Sequence, residues 1–145
     1  SRDMLIVARA NLQSAGLGNC QVRQADMYRL PWTAPSFDAV TIHRVLHFAE
    51  DPARVIAEAA RVLRPGGRLL IVDFAPHALE RLRSEHAHRR LGFADDEVNK
   101  WCRAVGLRPE PVQHLPGKQL TVSIWQALRG PARPAATVGG RRAAA

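Results

Sequence analysis

The chain has 145 residues, of which 46% are hydrophobic and 23% charged, and this is the size and composition of one globular domain. No apolar run approaches the roughly 18 residues of a membrane-spanning helix and no signal peptide opens the chain, so we expect no membrane partner and a cytoplasmic location. The two cysteines, Cys20 and Cys102, have no CxxC neighbour, which argues against a zinc site and against a disulfide scaffold.

The net charge of +8 is unevenly distributed along the chain. Half of it comes from residues 129–145, which contain four arginines and no acidic residue. Their mixture of proline, glycine, alanine and arginine cannot form a core, so we predict a domain at 1–128 followed by a disordered basic tail at 129–145. Contact with nucleic acid is the alternative for this tail, but it lacks the aromatic residues on which single-stranded bases stack.

The N-terminal segment predicts a helix, a strand, a loop and a second strand. Apolar residues recur at three- and four-residue steps over 2–16, which is the period of a helix. The segment CQVRQAD at 20–26 predicts a short strand that ends at Asp26. After a proline-rich loop, the mostly apolar FDAVTI at 37–42 predicts a second strand, and His43 follows it.

The middle of the chain predicts a capped helix and a buried strand. Asp51 followed by Pro52 is a helix start, because the aspartate accepts from free N–H groups and proline suits the first helical position. Pro-Gly-Gly at 65–67 ends this helix, and we expect one of the two glycines to have positive φ. The apolar run RLLIVDF at 68–74 predicts a strand covered on both faces, with Asp73 near its end.

The C-terminal part predicts two helices, at about 78–90 and 95–105, and an antiparallel hairpin. The second helix has three acidic residues at its start, which favour the positive end of the helix dipole. Segments 107–115 and 119–128 flank Pro-Gly at 116–117, where we expect a turn whose glycine has positive φ. Helices that alternate with strands indicate the layered α/β class, in which ligands bind at the carboxyl ends of the strands.

Polar residues mark the ends of three predicted strands, namely Asp26, His43 and Asp73. In their order and spacing, ADMYRLPW from residue 25 and FDAVTIHRVLHFAEDPARVIAEAARVLRPGGRLLIVDF from residue 37 resemble the second half of class I S-adenosylmethionine-dependent methyltransferases. The resemblance covers about 1–128. It implies a Rossmann-like methyltransferase fold, with a mostly parallel sheet and a C-terminal antiparallel hairpin.

The resemblance also implies roles for individual residues. Asp26 matches the group that hydrogen-bonds the adenine amino group of S-adenosyl-L-methionine, and Met27 matches the neighbour that packs on the adenine ring. His43 matches the residue that lines the methionine end of the cofactor. The substrate-side candidates are Arg44, His47, Asp73 and His86. No residue is assigned as catalytic, because methyl transfer needs alignment more than it needs a reactive side chain.

Each candidate has a structural alternative. Asp26 could cap a turn, His47 could be a packing residue, and Asp73 could bond only the backbone at its strand end. A metal site is disfavoured, because His86 and His88 are two residues apart and so lie on different faces of a helix. We therefore predict no metal ligands.

The glycine-rich loop of the family and the acid that holds the ribose should precede Ser1, and no GxGxG occurs in the sequence. We therefore expect the chain to lack the N-terminal strands of the fold, and alone to be inactive. The strand at 20–26 would then move across to pair with 37–42, detach together with helix 2–16, or leave an edge for a second chain. We favour the first or the last of these, and the last predicts a homodimer.

Two other functions stay open beside methyl transfer to a small-molecule acceptor. The segment EHAHRRLGFADDEV at 85–98 resembles the methyltransferase half of proteins with an N-terminal ArsR-type winged-helix repressor domain. A non-catalytic module that senses the cofactor or dimerises is therefore one alternative, with DNA contacted only through such an upstream domain. The other is a nicotinamide-binding dehydrogenase, whose glycine fingerprint is equally absent.

Overall fold

A computed structural model describes residues 2–33 and 35–131. Its elements, in chain order, are α1 (Arg2–Ser14), β1 (Phe37–His43), a 3-10 turn (Leu46–Phe48), α2 (Pro52–Val62), β2 (Leu63–Phe74), α3 (Arg81–His86), α4 (Asp95–Ala104), β3 (Leu107–Pro109), β4 (Gln113–Pro116) and β5 (Thr121–Arg129). The last residue of β5 is thus the first residue of the predicted tail. Residues 132–145, which are most of that tail, lie outside the described residues.

The five strands form one sheet in the order β1-β2-β5-β3, with β4 also paired to β5. Strands β1 and β2 are parallel, whereas β5 is antiparallel to β2, β3 and β4. The layered α/β class and the closing antiparallel hairpin are therefore confirmed. The sheet is mixed, however, rather than mostly parallel, because only one parallel pair lies within the described residues.

Helix α2 has the start and the buried face that its sequence predicts. Asp51 accepts a hydrogen bond from the backbone N–H of Arg54 at 3.1 Å, and Pro52 is the first helical residue. Its apolar side chains pack against the sheet and α4, and Ile56 is fully buried. Burial of one such side chain stabilises the fold by about 1.5–3 kcal/mol.

At the corner where α2 passes directly into β2, the first residues of β2 include two glycines that are required for different reasons. Gly66 has φ of +78°, which confirms the predicted left-handed glycine. Gly67 instead has no room for a side chain, because a Cβ there would lie 2.8 Å from the carbonyl oxygen of Arg64. Arg129 fixes the same corner by donating to the carbonyl oxygens of Ala60 and Leu63 near the end of α2.

Strand β2 carries a polar residue on its buried face. Leu69, Ile71 and Asp73 alternate on that face and are 0%, 1% and 0% exposed. Leu70 and Val72 on the opposite face are only half-buried. The prediction that the strand is covered on both faces is therefore wrong for the described residues.

The predicted strand at 20–26 is absent. The segment forms no strand, apart from one isolated bridge between Asp26 and Arg29. A strand needs a partner for its backbone N–H and C=O groups, and within the described residues β1 is paired only with β2. The predicted movement of this segment to the edge of β1 is thus also wrong. Helix α1 precedes it as predicted, but none of its residues is buried.

The loop that follows Asp26 is fastened to both ends of α2. The Tyr28 hydroxyl accepts from the backbone N–H groups of Glu50 and Asp51 at 2.9 and 3.2 Å. Near the other end, Glu58 accepts from the N–H of Leu30 at 2.6 Å and is paired with Arg61. The hydrogen bond from Arg61 lowers the pKa of Glu58. The loop therefore keeps a defined position without a preceding strand.

The C-terminal elements complete the core. Val98 and Cys102 of α4 are buried against the sheet, and burial raises the pKa of the Cys102 thiol to about 11. The glycine of the hairpin turn does not have the predicted positive φ. Gly117 is required for another reason, since a Cβ there would lie 2.6 Å from the carbonyl oxygen of Leu120. None of the helices in the described part of the chain has the length and apolar composition needed to cross a membrane.

Candidate functional site

A pocket of about 580 Å³ lies where β1 and β2 end. Its wall combines imidazole and guanidinium groups with apolar side chains. The lining residues are Met4, His43, Arg44, His47, Phe48, Phe74, Leu82, His86, His88 and Leu120. The pocket is thus at the carboxyl edge of the parallel pair, which is where layered α/β proteins bind ligands.

A buried His–Asp pair forms the floor of the pocket. Nδ1 of His47 lies 2.7 Å from Oδ1 of Asp73, and the two side chains are 3% and 0% exposed. Asp73 also accepts from the backbone N–H groups of His47 and Phe74, at 3.2 and 2.9 Å. Three donors therefore surround one carboxylate, and this arrangement fixes both the position and the orientation of the imidazole.

Aromatic rings enclose this imidazole. The ring of His88 stacks on that of His47 with a centroid distance of 4.0 Å and an interplanar angle of 28°. Phe48 lies 4.1 Å from the His47 ring and Phe74 lies 5.5 Å from it. These rings exclude water from His47 except toward the pocket that it lines.

Two neighbouring histidines are held in their neutral form. Burial, followed by the nearby His47, lowers the pKa of both His77 and His88. Nε2 of His77 and Nδ1 of His88 are buried and have no hydrogen-bond partner within the described residues. A buried ring nitrogen without a partner favours the uncharged imidazole, since the charged form loses its hydration.

Arg44 follows the last residue of β1 in a left-handed conformation, with φ of 51°. Its backbone N–H donates to the carbonyl oxygen of Val72 at 2.7 Å, which continues the pairing with β2 by one residue. Its guanidinium lies over the ring of Phe74, 5.0 Å from the centroid. The strained backbone therefore places the cation on the pocket wall.

The segment from Ala75 to Phe93 closes one side of the pocket. Its two ends are joined, because Phe93 N–H donates to the carbonyl of Phe74 and a Cβ on Gly92 would overlap the carbonyl of Ala75. The N–H groups of Arg89 and Arg90 both donate to the carbonyl of His47. The segment contains α3, which is shorter than the predicted helix at 78–90 because Ala87 has φ of 54° and ends it.

The structure places the two adenine candidates away from this pocket wall. Asp26 is exposed, and its Oδ1 accepts from the N–H of Tyr28 at 2.9 Å in a turn. The second carboxylate oxygen has no hydrogen bond to the described residues. Met27 is half-buried and packs against the core. Both residues lie in the loop that Tyr28 fastens to α2.

Most of the substrate-side candidates come together. Arg44, His47 and His86 line the pocket with His43, and Asp73 supports it from behind. No group of three or more His, Cys, Asp or Glu side chains within residues 2–33 and 35–131 is arranged to hold a metal ion.

Sequence reasoning missed part of the wall. The sequence favours a solvated helix face for His88 over a substrate-side or metal role, and it predicts no role for Phe48, Phe74 and Met4. Phe48 and Phe74 are each adjacent to a candidate, His47 and Asp73, so an aromatic residue beside a polar strand end is the signal that could have found them. Met4 reaches the pocket from α1, and no local pattern indicates that contact.

The chain is similar in sequence to known methyltransferases. Residues 1–71 match a family model described as a methyltransferase domain. A ubiquinone/menaquinone biosynthesis C-methyltransferase from Escherichia coli is 35% identical over 122 residues, which are 78% of this chain and 49% of the relative. A 27-O-demethylrifamycin SV methyltransferase from Amycolatopsis mediterranei is 38% identical over 109 residues, which are 70% of this chain and 39% of the relative. Over these residues the chain is similar to methyltransferases.

A solved methyltransferase structure has the same fold. It is the 1,6-didemethyltoxoflavin-N1-methyltransferase of Burkholderia thailandensis, with 1,6-didemethyltoxoflavin and S-adenosylhomocysteine bound. The two chains superpose with a TM-score of 0.68 at 20% identity, and the match covers 83% of this chain and 56% of the solved one. The fold is thus the Rossmann-like methyltransferase fold. The chain spans about half or less of the length of the curated relatives that it matches.

Proposed function

We propose that the protein transfers a methyl group from S-adenosyl-L-methionine to a small-molecule acceptor bound in the pocket at the ends of β1 and β2. The observation that carries this proposal is the His47–Asp73 pair, which is buried at the carboxyl edge of a methyltransferase fold and faces that pocket. A solved structure of this fold binds S-adenosylhomocysteine. That neighbour supports the choice of cofactor.

The residues present fit two parts of the cofactor. The free carboxylate oxygen of Asp26 suits the adenine amino group, and the thioether of Met27 suits the ring face. His43, on the pocket wall, suits the methionine end. When bound, the cofactor supplies an electrophilic methyl group on a sulfonium. These assignments rest on the chemistry of the side chains and on the resemblance to the family.

We assign His47 as the proton acceptor. Asp73 accepts from the backbone N–H groups of His47 and Phe74 as well as from the imidazole ring. Since the carboxylate then contacts only donors, Nδ1 of His47 carries a proton. Nε2 is then the basic nitrogen, and it accepts the proton that the acceptor loses on methylation. Asp73 acts as a positioning residue, because it holds the tautomer without touching the acceptor.

The remaining contribution of the pocket is alignment. The rings of Phe48, Phe74 and His88 form flat walls around His47. Fixing an acceptor against such walls removes rotational freedom before the reaction, and orientation of this kind can lower a barrier by several kcal/mol.

The test is transfer of a labelled methyl group. Full-length protein is incubated with methyl-labelled S-adenosylmethionine and a panel of phenols, aromatic amines and ketones, and label is measured in the organic products. With an acceptor found, His47→Gln is expected to lower kcat by about 10²- to 10⁴-fold. His114→Gln is the matched control, because His114 lies outside this pocket on β4.

Two outcomes would contradict parts of the proposal. An unchanged rate in His47→Gln would remove the base assignment. Cofactor binding without transfer to any acceptor would favour the sensing or dimerising module, an alternative that the comparisons do not support. The upstream ArsR-type domain, the DNA contact through it, the homodimer and the cytoplasmic location all stay predictions.

A further inference from the structure

The pocket wall has an unbalanced set of charges. Five of its ten lining residues carry a guanidinium or an imidazole, and none carries a carboxylate. The carboxylate nearest to His47, that of Asp73, is fully buried and occupied by three donors. A wall that holds one fixed positive charge and several imidazoles is complementary to an acidic ligand.

Arg44 is the cation that is free to bind such a ligand. The guanidinium groups of Arg61, Arg64 and Arg90 are paired with carboxylates, whereas Arg44 has no carboxylate partner within residues 2–33 and 35–131. Its fork of donors matches the two oxygens of a carboxylate. The guanidinium is already held over the ring of Phe74, so little freedom is lost when an anion binds.

Its backbone conformation supports the same assignment. A non-glycine residue with φ of 51° carries strain, and such strain persists where the surrounding structure fixes it, often at ligand sites. Here the 2.7 Å hydrogen bond from Arg44 N–H to Val72 fixes the conformation. A glycine would be relaxed at this position, so an arginine here carries a cost in stability.

The apolar part of the lining favours an aromatic ligand. Phe48 is an exposed ring on this wall, the Phe74 ring lies beneath Arg44, and Met4, Leu82 and Leu120 supply the other apolar contacts. Flat aromatic ligands gain from stacking on rings of this kind.

We infer that the acceptor is a planar aromatic molecule with an acidic group that is ionised at neutral pH, and that Arg44 binds this anion. The inference rests on the proposed function only in calling the ligand the methyl acceptor. Binding of the anion itself needs no cofactor, so it can be measured without one.

The experiment compares one acid with its neutral isostere. The 145-residue chain is titrated by calorimetry at pH 7.5 with 1-hydroxy-2-naphthoate and with 1-hydroxy-2-naphthamide, without cofactor. A charge-assisted contact to Arg44 predicts that the acid binds at least about tenfold more tightly than the amide. Equal affinities, or no binding of either probe up to millimolar concentration, would overturn the inference.

Variants of Arg44 test whether this residue binds the anion. Arg44→Gln and Arg44→Gly are expected to bring the preference for the acid below about threefold, which is less than one charged hydrogen bond. Arg44→Gly relieves the backbone strain, so its loss of binding cannot be attributed to unfolding. Arg103→Gln makes the same charge change on the exposed end of α4 and should keep the preference. A preference that survives in both Arg44 variants rejects Arg44 as the anion site. Failure of methyl transfer alone would leave this result unaffected.

Discussion

His47 and His88 stack at 4.0 Å, but only His47 has a carboxylate partner. Two adjacent cations repel each other, so this stack accommodates one positive charge more readily than two. Asp73 is hydrogen-bonded to His47, while burial and the nearness of His47 lower the pKa of His88. The arrangement therefore favours a neutral His88 beside His47.

The lowered pKa of His88 predicts a loss of stability in acid. The ordinary pKa of histidine is 6.5, and that of His88 in the folded chain is lower. The unfolded chain therefore binds the proton more readily, so the stability is fully present above about pH 6.5 and falls as the pH drops below that value. His47, His77 and His86 oppose the charge on His88, and Asp73 favours it. The urea midpoint should be lower at pH 5.5 than at pH 7.5.

His88→Phe separates this effect from general acid destabilisation. Phenylalanine keeps a ring against His47 and cannot take a proton, so the difference between the two urea midpoints should become smaller. His43→Gln is the control, because His43 is exposed and is not among the groups that act on the charge of His88. A pH dependence that is the same in His88→Phe as in the parent chain would show that His88 does not contribute.

At the scale of elements, the corner between α2 and β2 gives the sharpest test of the backbone. Gly66 has φ of +78°, and a β-branched residue is disfavoured there. Gly66→Val should lower the free energy of unfolding by about 1–2 kcal/mol, the cost of a left-handed residue with a side chain. The control is Gly18→Val, since Gly18 has no positive φ and nothing near its added Cβ. Equal stabilities of the two variants, measured by urea unfolding, would contradict this account of the corner.

Elements whose signals are local could be predicted from the sequence. The Asp51-Pro52 start of α2, the apolar run of β2 and the acidic start of α4 all lie within a few residues of the element they define. The absence of a strand at 20–26 could not be predicted in this way, because pairing depends on a neighbouring strand and not on propensity. The end of α3 is fixed by contacts of the segment with His47, which are distant in sequence.

The same distinction between local and distant signals applies to the residues of the candidate site. Chain order determines which residues lie at the edge of the sheet. It therefore predicts the polar strand ends at His43 and Asp73, and Arg44 and His47 in the loop after β1. The stacking of His88 on His47 could not, since it depends on how the segment from Ala75 to Phe93 folds back over the sheet.

At the scale of the whole molecule, the pocket is assembled from distant parts of the chain. Met4 comes from α1, His43 from β1 and Leu120 from the turn before β5. The loop that holds Asp26 is fixed to α2 independently of the sheet. The proposed cofactor contacts and the proposed acceptor contacts are therefore positioned by different elements, so a change on one side can be measured without disturbing the other.

Titration of the full-length protein with S-adenosylmethionine tests the central claim most directly. One equivalent should bind, and a nicotinamide dinucleotide at the same concentration should not. Asp26→Ala should weaken binding by about 1.5–3 kcal/mol, the value of a hydrogen bond to a charged group. Asp38→Ala removes the same charge from an exposed pair with Arg64 and should have no effect. Binding of the dinucleotide in place of S-adenosylmethionine, or no binding of S-adenosylmethionine, would contradict a methyltransferase site at this edge of the sheet.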